Sequence, residues 1–452
     1  MMLALIILTL AGLLILFLGF SGMRNVLLPV AIIAICAAIF ALSSQQTFWN
    51  HYLADMVQVD GLSRKISLIL MYAALGLLPF FNLFKNRGQE ELSDFLGIYL
   101  FAILGSILMV SALNYMSLFI GVEILSISMY VLAGANRRSI LSNEASLKYF
   151  ITGSFTSAIM LFGIGWIYAE SGSLSMVQTS GVATSMMSFG FIFLFTAFAL
   201  KVALVPFHFW APDVYQGTPT LFTASMATLV KIAAIGAFYR LVQLNHAVLP
   251  EWINWYFVLL ILATLILGNI LAVTQDSVKR LFAYSGIVQS GFILMGFLYQ
   301  SAYVDWTMLF YFIAYASASL VGFIVIHFVE VQSGSDSLDS FAGLSKSNPG
   351  LALVLSISLI SLAGGPLTAG FMAKIFILSQ SIQNNFTALA MVAVISAVVS
   401  MYYYYKVINA IYSKSSDQPW SVSIYYRGLL YVFTIITLVA GLLPSVLIGL
   451  LK

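Results

Sequence analysis

The chain has 452 residues, 61% of them apolar and only 8% charged, with a mean hydropathy of +1.02. A water-soluble protein carries roughly a quarter charged residues, so water is not the main neighbour of this chain. A formal charge of +3 on scattered basic residues is too small to point to nucleic acid, and a single cysteine in an apolar run, Cys36, excludes disulfides, cysteine-rich metal sites and iron–sulfur clusters.

A helix crosses a hydrocarbon core with about 20 apolar residues. Fourteen such runs follow one another: 3–20, 26–43, 65–84, 94–111, 113–134, 146–169, 187–208, 219–245, 254–273, 280–299, 305–330, 351–382, 387–413 and 426–450, numbered helices 1 to 14 below. The runs are continuous rather than alternating, which argues against strands. The fold class read from them is an all-α polytopic membrane protein. The first run has no basic segment ahead of it and no small-residue cleavage site behind it, so it reads as a retained helix. The longest linker, 331–350, is polar, turn-rich and too short for a soluble domain. Residues 1–452 therefore read as one integral membrane domain with helices 1–3 peripheral.

Loop charges give an orientation. Arg24, Lys85, Arg87, Arg137, Arg138, Lys279, Arg280, Lys346 and Lys414 follow odd-numbered helices, with Arg427 at the edge of helix 14. The other side holds only Arg64, Lys65, Arg240 and Lys452. The first set should be cytoplasmic, with both termini on the outer side.

Helices 4–8 (94–245) and 9–13 (254–413) form two blocks of five, and an odd block length inverts the second copy; 426–450 is left as a last helix. Helix 7 matches helix 12, each with a proline near a lysine: Lys201 with Pro206, and Pro366 with Lys374. Helix 5 matches helix 10, with Glu123 and Gln289 near mid-helix. Inverted repeats with broken helices are a recurring transporter design.

Glu123, Lys201, Lys231 and Lys374 all sit within apolar helices. Each ion costs roughly 2.5–3.5 kcal/mol at a helix centre on insertion scales. Two readings stand: a structural ion pair between Glu123 and one lysine, or a relay in which the surplus lysines carry protons. Burial disfavours an ammonium and a nearby carboxylate restores it, so a lysine whose partner moves is a switchable proton donor. The stretch 362–374 (LAGGPLTAGFMAK) places Gly364, Gly365, Pro366 and Gly370 inside helix 12. Such residues interrupt a helix, and freed backbone groups at membrane depth need protein or water beside them. Helix 12 is then either two half-helices around a hydrated site with Lys374 or a kinked helix, and the same logic holds around Lys201 and Pro206. Glu144 and Lys148, near the start of helix 6, either snorkel to the interface or extend a proton path. Lys406 reads as an interfacial anchor, His208 and Asp213 as structural or near an entrance, and His327 as uninformative. No His or Asp pair has metal-ligand spacing, no glycine loop suits a phosphate, and no histidine pair suits haem.

The segment KVALVPFHFWAPDVYQGTPT (201–220) resembles the signature of the antiporter-like membrane subunits of respiratory complex I, the proton-pumping NADH:quinone oxidoreductase. Segments 121–134, 143–163, 275–296 and 364–378 are similar to the same family and extend the resemblance over helices 5 to 12. PDVYQG and the helix 8 lysine in TLVKIAA resemble the family's N branch more than its two larger siblings. The resemblance implies a glutamate on helix 5 paired with a lysine on helix 7, a central lysine on helix 8 and an ionisable residue on broken helix 12. Glu123, Lys201, Lys231 and Lys374 match these, and Glu144 and Lys148 match the helix 6 motif. Many relatives carry histidine where this chain has Gln289, which cannot take up a proton at physiological pH. The resemblance further implies a bacterial inner-membrane location and partners among sibling and peripheral subunits. This chain would hold no cofactor; NAD, FMN, iron–sulfur clusters and quinone would belong to those partners. The rival readings are a subunit of a multi-subunit cation/proton antiporter and a structural membrane subunit with a vestigial path.

Overall fold

A computed structural model describes residues 2–44, 55–58, 60–86, 89–177, 183–299, 302–413 and 421–451. Arg87, Lys414 and Lys452 of the orientation argument lie outside the described residues, and of Lys85 only the backbone is described. Among the described residues the elements are helices, joined by three isolated β-bridges. Among the described residues thirteen helices are long and apolar enough to cross a membrane. The fourteenth run, helix 12, is split into Pro349–Ala363 and Ala369–Gln383, each too short alone. The chain is an all-α, multi-pass membrane protein.

Polar side chains set several helix starts by accepting the free N–H groups of the first turn. Asp60 and Ser63 form a capping box on helix 3, Gly61–Leu77. Asn114 caps helix 5, Tyr115–Ala133, and Ser277 caps helix 10, Val278–Leu294. Ser139 caps helix 6, which runs Ile140–Ser171 and so begins several residues earlier than its apolar run. Helix 7 ends at Val202, short of the expected 208, because Ala203 takes a left-handed φ of 62°.

The chain divides into two compact units: Met1–Val202 with Gly217–Ile253, and Ala203–Gln216 with Asn254–Lys452. In the first unit helix 8 (Thr220–Asn245) is buried from Thr220 to Val242 and packs against helices 3, 4 and 7. Phe198 and Phe238 stack at 5.0 Å where helix 7 meets it. Helices 4 and 5 touch backbone to backbone, since a Cβ on Gly105 would lie 2.5 Å from the Leu125 nitrogen. Close approach through small residues is how membrane helices gain packing without a hydrophobic drive. Arg240, near the end of helix 8, is buried and ties three segments together. It pairs with Asp60 at 3.0 Å and donates to the carbonyls of Val110 at 2.8 Å and Gln58 at 3.3 Å.

In the second unit helices 10 and 11 (Ala302–Ser333) form the enclosed centre. Helix 11 packs against both halves of helix 12 and against helix 14, Ile424–Leu442. Large apolar side chains such as Phe155, Leu161 and Phe162 on helix 6 stay exposed. Lipid or neighbouring subunits are the medium that suits such a surface.

Candidate functional site

Lys201 occupies the last turn of helix 7 and is 6% exposed. Its Nζ donates to the Ser126 hydroxyl of helix 5 and lies 5.7 Å from the centroid of the Tyr130 ring. Glu123, one turn before Ser126, is half-buried, and its Oε1 accepts from the Ser157 hydroxyl of helix 6. Glu123 acts on Lys201 through its field, but each has taken a hydroxyl partner. Glu123 and Lys201 therefore each rest on a neutral hydroxyl, those of Ser157 and Ser126.

Tyr130 sits where Lys201 can lie against it because residue 153 is glycine. A Cβ there would come within 1.7 Å of the Tyr130 hydroxyl. Ser126, Ser157 and Tyr130 were not singled out from the sequence. Their signal is helical spacing, since Ser126 and Tyr130 follow Glu123 by three and seven residues and share its face.

Lys231 is buried and begins the helical segment Lys231–Asn245, directly after a π turn over Met226–Val230. Single π turns within helices concentrate at functional sites. Glu144 and Lys148 form an i,i+4 ion pair of 2.6 Å on the outer face of helix 6, both substantially exposed within this chain.

The second unit holds the break in helix 12. Its first half ends at Ala363 and is followed by Gly364 with φ 86°, Leu367 has φ 68°, and the second half starts at Ala369. The last carbonyls of a helix lack internal partners, and here Lys374 supplies one. Its Nζ donates to the carbonyls of Leu362 at 3.0 Å and Ala363 at 2.9 Å, and lies 4.7 Å from the centroid of the Phe292 ring. The ammonium thus meets the negative end of a helix dipole. Gly364 leaves room for the lysine stem, because a Cβ there would lie 2.8 Å from Lys374 Cδ. Gly370 lets the two halves meet, since its Cβ would fall 1.9 Å from the Ser361 carbonyl oxygen.

Gln289 does not stand apart from this arrangement. Its Nε2 donates to the same Leu362 carbonyl at 2.7 Å, and its Oε1 accepts from the Tyr311 hydroxyl. Gln289 and Lys374 therefore share one acceptor, a tertiary relation that no local pattern reveals.

The segment after the helix 7 break, with its cis Val205–Pro206 bond, has the Val205 N–H donating to Thr264 Oγ1 at 3.1 Å. Asp213 then pairs with Arg280 at 2.6 Å. The His208 ring faces Tyr284, and burial pulls its imidazole below the ordinary value. Lys406 donates to the Val273 carbonyl at 3.2 Å, closing the end of helix 9, Trp252–Val273. Among the described residues no group of three or more His, Cys, Asp or Glu could hold a metal ion.

Residues 112–400 match the family model described as NADH:quinone oxidoreductase/Mrp antiporter, TM. The NADH-quinone oxidoreductase subunit N of Flavobacterium psychrophilum is 38% identical, with 95% of each chain covered. Its counterpart in Cytophaga hutchinsonii is 36% identical, with 98% of each covered. A chain of respiratory complex I from Thermus thermophilus superposes with a TM-score of 0.87 at 27% identity, covering 99% of both chains. A chain of the Mrp complex from Dietzia shares the fold, with a TM-score of 0.86 at 20% identity over 100% of this chain and 96% of that one.

Proposed function

Because the chain belongs to the NADH:quinone oxidoreductase/Mrp antiporter family of membrane subunits, we propose that it is the subunit N-type proton-translocating member of an NADH:quinone oxidoreductase. The observation that carries this reading is Lys374, whose buried ammonium is held by the freed carbonyls of a broken membrane helix. A structural pair would need a carboxylate there. A site built from a lysine and backbone oxygens can instead gain and lose a proton without leaving an orphan carboxylate. The names borne by the relatives at 38% and 36% identity favour this function over a cation/proton antiporter subunit.

In this mechanism protons enter from the cytoplasmic side and pass along a hydrated path that uses Lys201, Lys231 and Lys374. Glu123 steadies the Lys201 ammonium when it swings toward it. When Glu123 turns to Ser157, as it does here, Lys201 is left on a neutral hydroxyl and its proton is free to move on. Glu144 and Lys148, paired at 2.6 Å near the start of helix 6, extend the proton path. The helix breaks at Pro206 and at Gly364, Gly365 and Pro366 supply the open backbone that the path needs. The driving free energy comes from quinone reduction in partner subunits, which hold the NAD, FMN, iron–sulfur and quinone sites. Both termini face the outer side of a bacterial inner membrane, and the two five-helix blocks act as inverted repeats. The test is the ratio of protons pumped to NADH oxidised in membranes carrying Lys201→Ala or Glu123→Ala. A large loss is expected. Full pumping by an assembled complex would sink the mechanism.

A further inference from the structure

Helices 10 and 11 of the second unit carry a further set of polar groups. Lys279, at the start of helix 10, is 2% exposed and pairs with Glu330, near the end of helix 11, at 3.1 Å. His327, one turn before Glu330, lies in the field of both charges. Deeper along the same helices Tyr315 meets Ser319, and the Tyr404 hydroxyl of helix 13 (Thr387–Ser413) lies against Ser285 and Gln289. Gln289 in turn shares the Leu362 carbonyl with Lys374.

One feature points to water in this seam. The hydroxyls of Tyr403 and Tyr404 are fully enclosed and lack a hydrogen-bond partner of ordinary geometry. Buried polar groups left unsatisfied by protein are the places where internal water binds. Along helix 10 the apolar Phe282 falls between Lys279 of the outer ion pair and Ser285 of the inner cluster. The Phe282 ring rests on Gly322 and packs at 5.1 Å against Phe323. A Cβ on residue 322 would stand 2.4 Å from Phe282 Cε1, so the ring occupies the space that a side chain would fill.

We propose that this seam is a second proton-uptake route into Lys374, entered at the Lys279–Glu330 pair and gated by the Phe282 ring on Gly322. The proposal rests on Lys374 being a relay residue. When Lys374 has passed its proton onward it is a neutral amine. A proton taken up by the Glu330 carboxylate moves along water and the Ser285 and Tyr404 hydroxyls. Each oxygen gains one proton and releases another, and the last proton binds Lys374. Gln289 stays neutral throughout and orients the water that stands beside it.

The test uses membrane vesicles that hold the whole assembled complex. The double variant Lys279→Met/Glu330→Gln should at least halve the protons pumped per NADH oxidised. Cys36 is the chain's only cysteine. In a Cys36→Ser background, Ser319→Cys should therefore be labelled on this chain by a small cationic thiosulfonate added to the cytoplasmic side. Labelling should be severalfold faster when Phe282→Ala is added. This second arm keeps both ion-pair residues, so it decides the matter even where the double variant fails to assemble. A double variant pumping at the full ratio, or a Ser319→Cys that stays unlabelled with and without Phe282→Ala, overturns the route. Lys374→Met in the same vesicles separates the two levels. If it abolishes pumping while the Lys279→Met/Glu330→Gln variant pumps fully, only the uptake route falls. If it also pumps fully, the relay falls with it.

Discussion

An ammonium held inside a membrane protein stays where its nearest oxygen keeps it, and for Lys201 that oxygen is the Ser126 hydroxyl. Ser126→Ala removes this neutral partner at a cost of about 1 kcal/mol in stability. The remaining attraction is the field of Glu123, so the lysine should close onto the carboxylate and release its proton more slowly. Coupled NADH oxidation and proton pumping should both fall severalfold, with complex content unchanged, and Ser126→Thr should restore them. Wild-type turnover in Ser126→Ala would remove the hydroxyl from the switch. Gly153→Ala probes the same pocket from the other side. Its Cβ would overlap the Tyr130 hydroxyl at 1.7 Å and Cζ at 2.4 Å, which forces the ring out of its place beside Lys201. Overpacking of this kind costs about 1–3 kcal/mol. The variant should assemble with a lower melting temperature and a pumping loss that exceeds the loss of protein.

At the scale of elements, the break in helix 12 combines two demands on one residue, and a second glycine separates them. Gly364 has φ 86° and its Cβ would press on Lys374 Cδ at 2.8 Å, whereas Gly334 has φ 74° with nothing near a Cβ. Alanine at either position carries the left-handed penalty of about 1–2 kcal/mol. Only Gly364→Ala also displaces the lysine from the Leu362 and Ala363 carbonyls. Thermal unfolding should register both variants, and the pumping ratio should fall for Gly364→Ala alone; equal ratios would mean that the lysine does not need those carbonyls. This break was legible in the sequence because Gly-Gly-Pro within an apolar run leaves few alternatives. So were the spans themselves, since their runs are long and continuous. The π turn before Lys231 was not legible, because MATLVKIAA has the composition of an ordinary helix. Nor was the setting of Gln289. Its meeting with Lys374 at one carbonyl is made by helices 10 and 12, whose contact leaves no local mark. Helix 7 misled by its length, since its apolar run continues past Ala203 although the helix does not.

At the scale of the whole chain, each compact unit encloses a buried lysine beside a broken helix: Lys201 in the first and Lys374 in the second. The proposed relay makes these lysines steps of one path, whereas two self-sufficient channels would make them independent. Variants that interrupt a single sequence of steps are strongly non-additive, while independent sites combine. Lys201→Met and Lys374→Met should therefore be measured singly and together, as protons pumped per NADH in vesicles of matched complex content. One path predicts that the double variant pumps no less than the more severe single variant. Two channels predict that each single variant removes about half of what the double variant removes. An uptake route that reaches Lys374 along helices 10 and 11 adds an ordering to the first case. Lys201→Met should then be the milder of the two, and Lys374→Met should match the double. A Lys201→Met variant as severe as Lys374→Met would leave the relay standing and remove the second uptake route from coupled pumping.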